Sequence, residues 1–190
     1  MTEQQAYSVI ERYAVFELRR YPAHVVAEVT VTGAFEDAGN LAFRTLLGYI
    51  SGQNESVQTV EMTAPVVQER ARSQKLAMTA PVEQTELSQG EHRIAFVLPE
   101  SVTPDTAPVP TNPKVHVRAV PERLTAVVRF SGRWSESSYR AHLAELAAGI
   151  ESAGLRPTGE PRYARFDPPY KPWFLRRNEV AQDVTRAAEA

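Results

Sequence analysis

Phe16-Glu17-Leu18-Arg19-Arg20-Tyr21-Pro22 has a counterpart 99 residues further along the chain, Val115-His116-Val117-Arg118-Ala119-Val120-Pro121. An apolar, β-branched stretch follows each heptapeptide, and a glycine ends it. Five identities keep the offset of 99 residues, namely Arg19/Arg118, Pro22/Pro121, Ala27/Ala126, Val29/Val128 and Gly33/Gly132. The fixed offset predicts an internal duplication within one domain over residues 1–190, with halves at 8–100 and 113–182.

Each half is predicted to begin with two strands and a helix. Residues 15–21 and 24–31 are rich in β-branched and alternating apolar residues, and residues 114–120 and 124–130 repeat this pattern. Helical spacing follows at 34–50, where the inward positions are Phe35, Ala38, Ala42, Leu46 and Tyr49. In the second half, Ser135 is the predicted N-cap of the helix and Gly154 its predicted end.

Further strands are predicted to close each half. Residues 57–67 and 75–82 flank a polar turn and predict a hairpin, and the remaining predicted strands are 92–98, 162–166 and 174–180. Residues 99–113 contain five prolines and are typical of a linker between the halves. Short connections favour antiparallel pairing, so the pattern predicts an α+β fold with about eight or nine strands.

The composition excludes several classes of site and partner. The chain has no cysteine, which rules out disulfides, thiolate catalysis, zinc–thiolate sites, iron–sulfur clusters and C-x-x-C-H heme attachment. A net charge of -2 predicts no nucleic-acid partner. No window approaches the ~18 apolar residues of a membrane span, and residues 1–6 lack the features of a signal peptide. We therefore expect a cytoplasmic monomer with no membrane partner.

Several segments resemble one family, in the same order along the chain. Residues 163–172 read Tyr-Ala-Arg-Phe-Asp-Pro-Pro-Tyr-Lys-Pro, and Leu175-Arg176-Arg177-Asn178-Glu179-Val180 follows. The other segments are Glu17-Leu18-Arg19-Arg20-Tyr21, Gly48-Tyr49-Ile50-Ser51-Gly52-Gln53-Asn54, Met62-Thr63-Ala64-Pro65-Val66 and Arg129-Phe130-Ser131-Gly132. Together they resemble the SOUL heme-binding proteins over residues 8–182. The resemblance implies a distorted antiparallel β-barrel of two pseudo-symmetric ββαβ-type halves, flanked by two helices.

The resemblance also implies a tetrapyrrole site along the first helix, with heme as the expected cofactor. Beside the inward stripe, Phe43, Leu47 and Ile50 widen the apolar arc, and Arg44 lies at its polar edge. The motif at 163–172 contributes Lys171 as a further cation at the site. The alternative is that the three apolar residues pack under a strand.

The sequence offers few donors for heme iron. Where one branch of the family carries a proposed histidine ligand, this chain has Arg20, which stays protonated and cannot coordinate iron. His24 is the nearby candidate, and a surface histidine beside the turn at Pro22 is its alternative role. Met62 and Met78 are soft donors that also suit the core of a strand. Without a fixed ligand, binding would be driven by apolar contact and would tolerate metal-free porphyrin.

The sequence favours a binding protein over an enzyme. It contains no H-E-x-x-H, G-x-S-x-G, G-x-x-x-x-G-K-[ST] or G-x-G-x-x-G motif, and we assign no catalytic residue. The leading hypothesis is a heme carrier, buffer or sensor. Two alternatives stay open, a binding module in which Glu61 recognises a cationic ligand, and an enzyme that removes heme iron or opens the ring.

Overall fold

The computed structural model describes residues 3–57 and 73–186, which form thirteen strands, two α-helices and one short 3-10 helix. The first part of the chain contains β1 (Glu3–Gln4), β2 (Ser8–Arg12), β3 (Glu17–Tyr21), β4 (His24–Thr32), α1 (Phe35–Ile50), β5 (Asn54–Glu55), β6 (Thr79–Ala80), β7 (Val82–Ser88) and β8 (Glu91–Val97). The later part contains β9 (Val109–Pro110), β10 (His116–Val120), β11 (Arg123–Phe130), α2 (Glu136–Ser152), β12 (Leu155–Arg165), the 3-10 helix (Trp173–Leu175) and β13 (Asn178–Arg186).

Nine strands form one sheet in the order β10-β4-β8-β7-β12-β13-β11-β3-β2, and all neighbours are antiparallel. The other strands form two small pairs, β1 with β6 and β5 with β9. Within the described ranges the edge strands β10 and β2 do not pair with each other, so the barrel-like sheet stays open. The predicted α+β class, with an antiparallel sheet and two helices, is confirmed.

The two predicted halves exchange their leading strands across the sheet. β3 pairs with β11 of the second half, and β10 pairs with β4 of the first half. Strands that are 99 residues apart in the sequence therefore lie at mirrored positions on either side of the β7–β12 pair. The duplication at 8–100 and 113–182 stays a prediction.

Both helices pack against the same face of the sheet. All five predicted inward residues of α1 are buried, and the α2 residues Tyr139, Leu146 and Ile150 are buried as well. The Ser135 side chain accepts a hydrogen bond from the backbone N–H of Ser138, and Gly154 follows α2 with φ +67, so the predicted cap and end are confirmed. Among the described residues, no helix is long and apolar enough to cross a membrane.

The proline-rich segment 99–113 lies against α1. Val102 and Ala107 are buried there and join the cluster around α1. The Tyr49 hydroxyl donates a hydrogen bond of 2.8 Å to the carbonyl of Pro108. The short strand β9 pairs with β5, which directly follows the helix. The segment is thus part of the packed fold.

Two predicted strands are wrong in their extent. Within residues 75–82, only Thr79–Ala80 form β6 and Val82 begins β7, with Pro81 between the two strands. Residues 174–180 begin in the 3-10 helix, and only Asn178 onward pairs as β13. Most of the other predicted hairpin arm, 57–67, lies outside the described residues.

Candidate functional site

A groove of about 330 Å³ runs along the exposed flank of α1. We call it the α1 groove. Helix α1 provides one wall, the segment around β6 the second, and the turn after β12 the third. The lining residues are Gly39, Asn40, Phe43, Met78, Thr79, Ala80, Val82, Trp134, Arg165, Phe166, Asp167, Pro168, Pro169 and Tyr170. The set is predominantly apolar and aromatic, which is typical of a small-molecule site.

The predicted flank of α1 divides between the groove and the core. Phe43 lines the groove and is 38% exposed, while its ring packs edge-on against buried Phe96 at 5.6 Å between centroids. Leu47 lies one turn further along and is also 38% exposed, but neither Leu47 nor the exposed Arg44 is among the residues that line the groove. Ile50 is only 5% exposed and belongs to the core around α1, so it offers little surface to a ligand.

Trp134 forms a fixed aromatic surface in the groove. Its indole Nε1 donates a hydrogen bond of 2.9 Å to the side-chain oxygen of Asn178. The guanidinium groups of Arg176 and Arg165 lie 4.3 Å and 5.1 Å from its ring. These contacts hold the ring in place from several directions. An aromatic surface that is already fixed loses little conformational entropy when a flat ligand stacks on it.

The turn after β12 is held by ionic and backbone contacts. One Asp167 oxygen accepts from the Lys171 ammonium at 2.6 Å, and the other accepts from the backbone N–H of Arg177 at 2.5 Å. Arg176 donates to the carbonyls of Lys171, at 2.8 Å, and Pro169. Burial opposes ionisation of Asp167, but these donors outweigh it and lower its pKa. The turn is therefore a formed wall, with Tyr170 at its exposed rim.

Arg165 lies at the base of the groove and is 8% exposed. Its Nη2 donates to the side-chain oxygen of Gln84 at 2.7 Å and to the carbonyl of Phe35 at 3.4 Å. Its guanidinium also lies 5.3 Å from the ring of Tyr163. Burial lowers the pKa of Arg165, although an arginine remains charged at neutral pH. The groove therefore has a cation at its base, among lining residues that are mostly apolar and aromatic.

The structure does not bring His24 to the α1 groove. Its Nδ1 lies 2.8 Å from the carbonyl of Pro22, and its Nε2 lies 3.1 Å from the side-chain nitrogen of Gln5. This geometry fits a neutral ring that donates through Nδ1 and accepts through Nε2. Burial lowers the pKa of His24, in agreement with the neutral form.

Of the other predicted site residues, some lie at the α1 groove and some lie outside the described residues. Met78 lines the groove, so its thioether is the sulfur donor that the described residues offer there. Glu61 and Met62 lie outside the described residues. Lys171 follows Tyr170 in the chain but is not among the residues that line the groove, and Asp167 already neutralises its charge. Within residues 3–57 and 73–186, no group of three or more His, Cys, Asp or Glu could hold a metal ion.

The opposite face of the sheet carries a buried ion network. Arg19 alternates with Leu18, which packs under α2, and therefore points away from the helices. The network joins Arg19 to Glu179 at 2.9 Å and Arg162 to Asp183 at 2.7 Å. Arg123 and Arg162 also flank Glu83, at 3.2 Å and 3.5 Å. Burial opposes ionisation of Glu83 and Asp183, but the arginines outweigh it and lower the pKa of both.

Sequence reasoning identified Phe43 but missed Trp134 and Arg165 as groove residues. The sequence does carry a signal at each position. Trp134 matches Phe35 at the offset of 99 residues, and Arg165 lies inside the family motif at 163–172. Their approach to α1 depends on the pairing of β12 with β7 across the centre of the sheet. No local sequence pattern reports that pairing.

Comparison with protein families adds a clear relationship. A family model described as "SOUL heme-binding protein" matches residues 2–183 of the chain. Heme-binding protein 1 of Xenopus tropicalis is 28% identical over 166 residues, which cover 87% of this chain and 81% of that protein. Heme-binding protein 1 of Xenopus laevis is 25% identical over 166 residues, with the same coverage of both chains.

Solved structures share the fold at low sequence identity. The crystal structure of the EcmrR C-terminal domain matches with a TM-score of 0.62 and 12% identity, covering 95% of this chain and 99% of that one. The crystal structure of a hydrolase from Listeria innocua matches with a TM-score of 0.54 and 15% identity, covering 97% and 94%. At these identities the likeness concerns the fold alone.

Proposed function

Because the chain belongs to the SOUL heme-binding protein family, we propose that it binds heme or a related tetrapyrrole in the α1 groove. In this proposal it is a cytoplasmic carrier, buffer or sensor of heme and has no catalytic step of its own. The observation that carries the proposal is the groove itself, an open and preformed slot with aromatic side chains on separate walls.

The shape and chemistry of the groove suit a flat macrocycle. Phe43, Trp134, Phe166 and Tyr170 come from three different parts of the fold and all line it. Aromatic rings stack on a porphyrin face and bury a large apolar area. The groove volume of about 330 Å³ lies at the lower end of the range for small-molecule sites. Part of the ligand would therefore extend past the exposed rim at Tyr170.

Two basic residues adjoin groove residues in the chain and would meet a porphyrin carboxylate that extends past the rim. Arg44 follows Phe43 on α1 and is exposed, and Lys171 follows Tyr170 on the opposite wall. Exposed charges of this kind contribute modestly to affinity, because solvent screens them. We therefore assign most of the binding energy to apolar contact with Phe43 inside the groove and with Leu47 where the ligand extends past it along α1, and a positioning role to Arg44 and Lys171.

Iron coordination is not required by this proposal. His24 has both ring nitrogens engaged outside the groove, and Arg20 cannot coordinate a metal. Among the described groove residues, Met78 and Tyr170 carry the atoms able to approach an iron. The proposal therefore predicts that metal-free protoporphyrin binds with an affinity close to that of heme.

A hemin titration followed at the Soret band tests the proposal. Phe43→Asp and Leu47→Asp should each weaken saturable binding by roughly tenfold or more, because a charge replaces apolar contact area. Leu41→Asp is the matched control, since Leu41 is 54% exposed, does not line the groove and lies two residues from Phe43, on a different face of α1 from Phe43 and Leu47, which are four residues apart. Equal, non-saturable broadening for wild type and all three variants would refute the proposal.

Two assays on the purified protein test the alternative functions, a binding module for another ligand and an enzyme that acts on heme. In a thermal-shift assay, stabilisation by a lipophilic cation and not by a porphyrin would favour a binding module for another amphipathic ligand. Incubation with heme and a reductant, followed by detection of free porphyrin or bilin, would reveal an enzyme. Under the proposed function, porphyrins stabilise the protein and heme is recovered unchanged.

A further inference from the structure

The donors of Arg165 are only partly used by the protein. Of its three guanidinium nitrogens, Nη2 makes both hydrogen bonds, to Gln84 and to the Phe35 carbonyl. Among the described residues, Nε is buried without a partner and Nη1 makes no hydrogen bond. A guanidinium has five N–H donors, and buried donors that stay unpaired cost free energy.

No described carboxylate neutralises Arg165 within 4.0 Å, although other buried arginines have such partners. Arg19 and Arg162 are buried to a similar degree and pair with Glu179 and Asp183. Near the groove, the two oxygens of Asp167 are engaged by Lys171 and by the backbone of Arg177. Glu36 attracts Arg165 only at longer range, while its carboxylate accepts from the backbone N–H of Glu136.

Gly39 leaves room for the unused end of this guanidinium. A Cβ atom at position 39 would lie 2.5 Å from Nη1 of Arg165, which is too close for any side chain without a shift. Gly39 and Arg165 both line the α1 groove. Nη1 therefore lies beside the one position of this helix turn that has no side chain to cover it.

We propose that Arg165 binds a carboxylate of the ligand in the α1 groove, so that the site selects flat aromatic macrocycles that carry a free acid. This inference rests on the proposed function, because it concerns the same groove. A carboxylate at Nη1 would supply the missing counter-ion in a partly desolvated place, where a charge-assisted hydrogen bond is stronger than at an exposed lysine. The ligand would thus be oriented with one propionate toward the base of the groove and its apolar edge toward Phe43.

The test compares protoporphyrin IX with its dimethyl ester, which has the same ring and no free acid. Binding is followed by quenching of tryptophan fluorescence, to which Trp134 in the groove contributes. Wild type should bind the acid roughly tenfold to a hundredfold more tightly than the ester. In Arg165→Met this ratio should fall to about one while the affinity for the ester is kept, which also shows that the variant is folded.

Two further variants make the result decisive. Arg133→Met removes an exposed arginine that lies over Trp173 outside the groove, and it should keep the wild-type ratio. Should Arg165→Met fail to fold, Arg165→Gln takes its place, because it keeps a donor for Gln84. In Arg165→Gln the affinity for protoporphyrin IX relative to its dimethyl ester should likewise fall to about one. Equal binding of acid and ester by wild type, or an unchanged ratio in the folded Arg165 variant, would overturn the inference and leave the proposed function standing. Failure of wild type to bind either porphyrin would overturn both.

Discussion

Arg19 and Glu179 are 160 residues apart in the chain, yet they form an ion pair of 2.9 Å in which each side chain is only 2% exposed. Arg19→Met should lower the free energy of unfolding by about 2 kcal/mol, because it removes one of the two arginines that pair with buried Glu179, while Arg177 keeps the other carboxylate oxygen at 2.7 Å. The double variant Arg19→Met/Glu179→Met should recover part of this loss. Urea denaturation at neutral pH measures both values.

Arg20→Met is the control for that measurement. Arg20 is the next residue, is 55% exposed and meets Glu122 at 3.6 Å, so its loss should change stability by less than about 1 kcal/mol. The interpretation of the Arg19 pair fails if the double variant is less stable than Arg19→Met alone.

The ion network also predicts a loss of stability in acid. In the folded protein the pKa of Asp183 lies below its usual 3.8 and that of Glu83 below its usual 4.5, after the arginines outweigh burial. Both carboxylates bind protons more readily in the unfolded chain, so their stabilisation is complete above about pH 5 and is lost as the pH falls through their folded pKa values. Unfolding free energies measured from pH 7 to pH 3 should decline over the acidic part of this range.

Asp183→Asn should flatten this acidic decline, although it also lowers stability at neutral pH. Asp105→Asn provides the comparison, because Asp105 is exposed. An unchanged slope in Asp183→Asn would show that other groups cause the acid sensitivity.

Two glycines of α1 predict opposite effects of the same substitution. Gly→Ala within a helix usually stabilises by about 1 kcal/mol. At Gly48 the new Cβ would meet only the end of the exposed Gln53 side chain, which can move away, so Gly48→Ala should stabilise. At Gly39 it would meet the buried guanidinium of Arg165, so Gly39→Ala should destabilise. Thermal unfolding of the two variants tests this prediction. A higher unfolding temperature for both Gly48→Ala and Gly39→Ala would contradict it.

His24 should not influence the spectrum of bound heme. Its ring nitrogens contact Pro22 and Gln5, and the ring does not line the α1 groove. His24→Gln should therefore bind hemin with the same Soret maximum and an affinity within about twofold of wild type. A shifted Soret band in this variant would instead place His24 at the iron.

The elements dominated by local sequence were predictable. The apolar spacing of α1 identified its buried stripe, and Ser135 identified the start of α2, because helix periodicity and capping depend on near neighbours in the chain. The apolar run Trp173-Phe174-Leu175 was misleading. It follows Pro172 and forms a 3-10 turn whose large side chains stay exposed, so apolarity there does not indicate a strand.

The groove was predictable only in part, because three separate segments meet to form it. Phe43 was found from its position on a helix face, which one turn of sequence determines. Ile50, on the same flank by sequence, is covered by the core at the end of the helix. Arg165 reaches the base of the groove through a strand pairing that joins residues about eighty positions apart, such as Tyr163 with Gln84, and no pattern within α1 indicates it.

The exchange of β3 and β10 between the halves has a mechanical consequence. Each half completes its part of the sheet with a strand that the other half supplies, so the polypeptide is interlocked by pairing as well as by its covalent connection. A protease that cuts at the exposed residues 103–106 would leave two fragments that still hold each other. The nicked particle would keep its hydrodynamic size and would come apart only in denaturant.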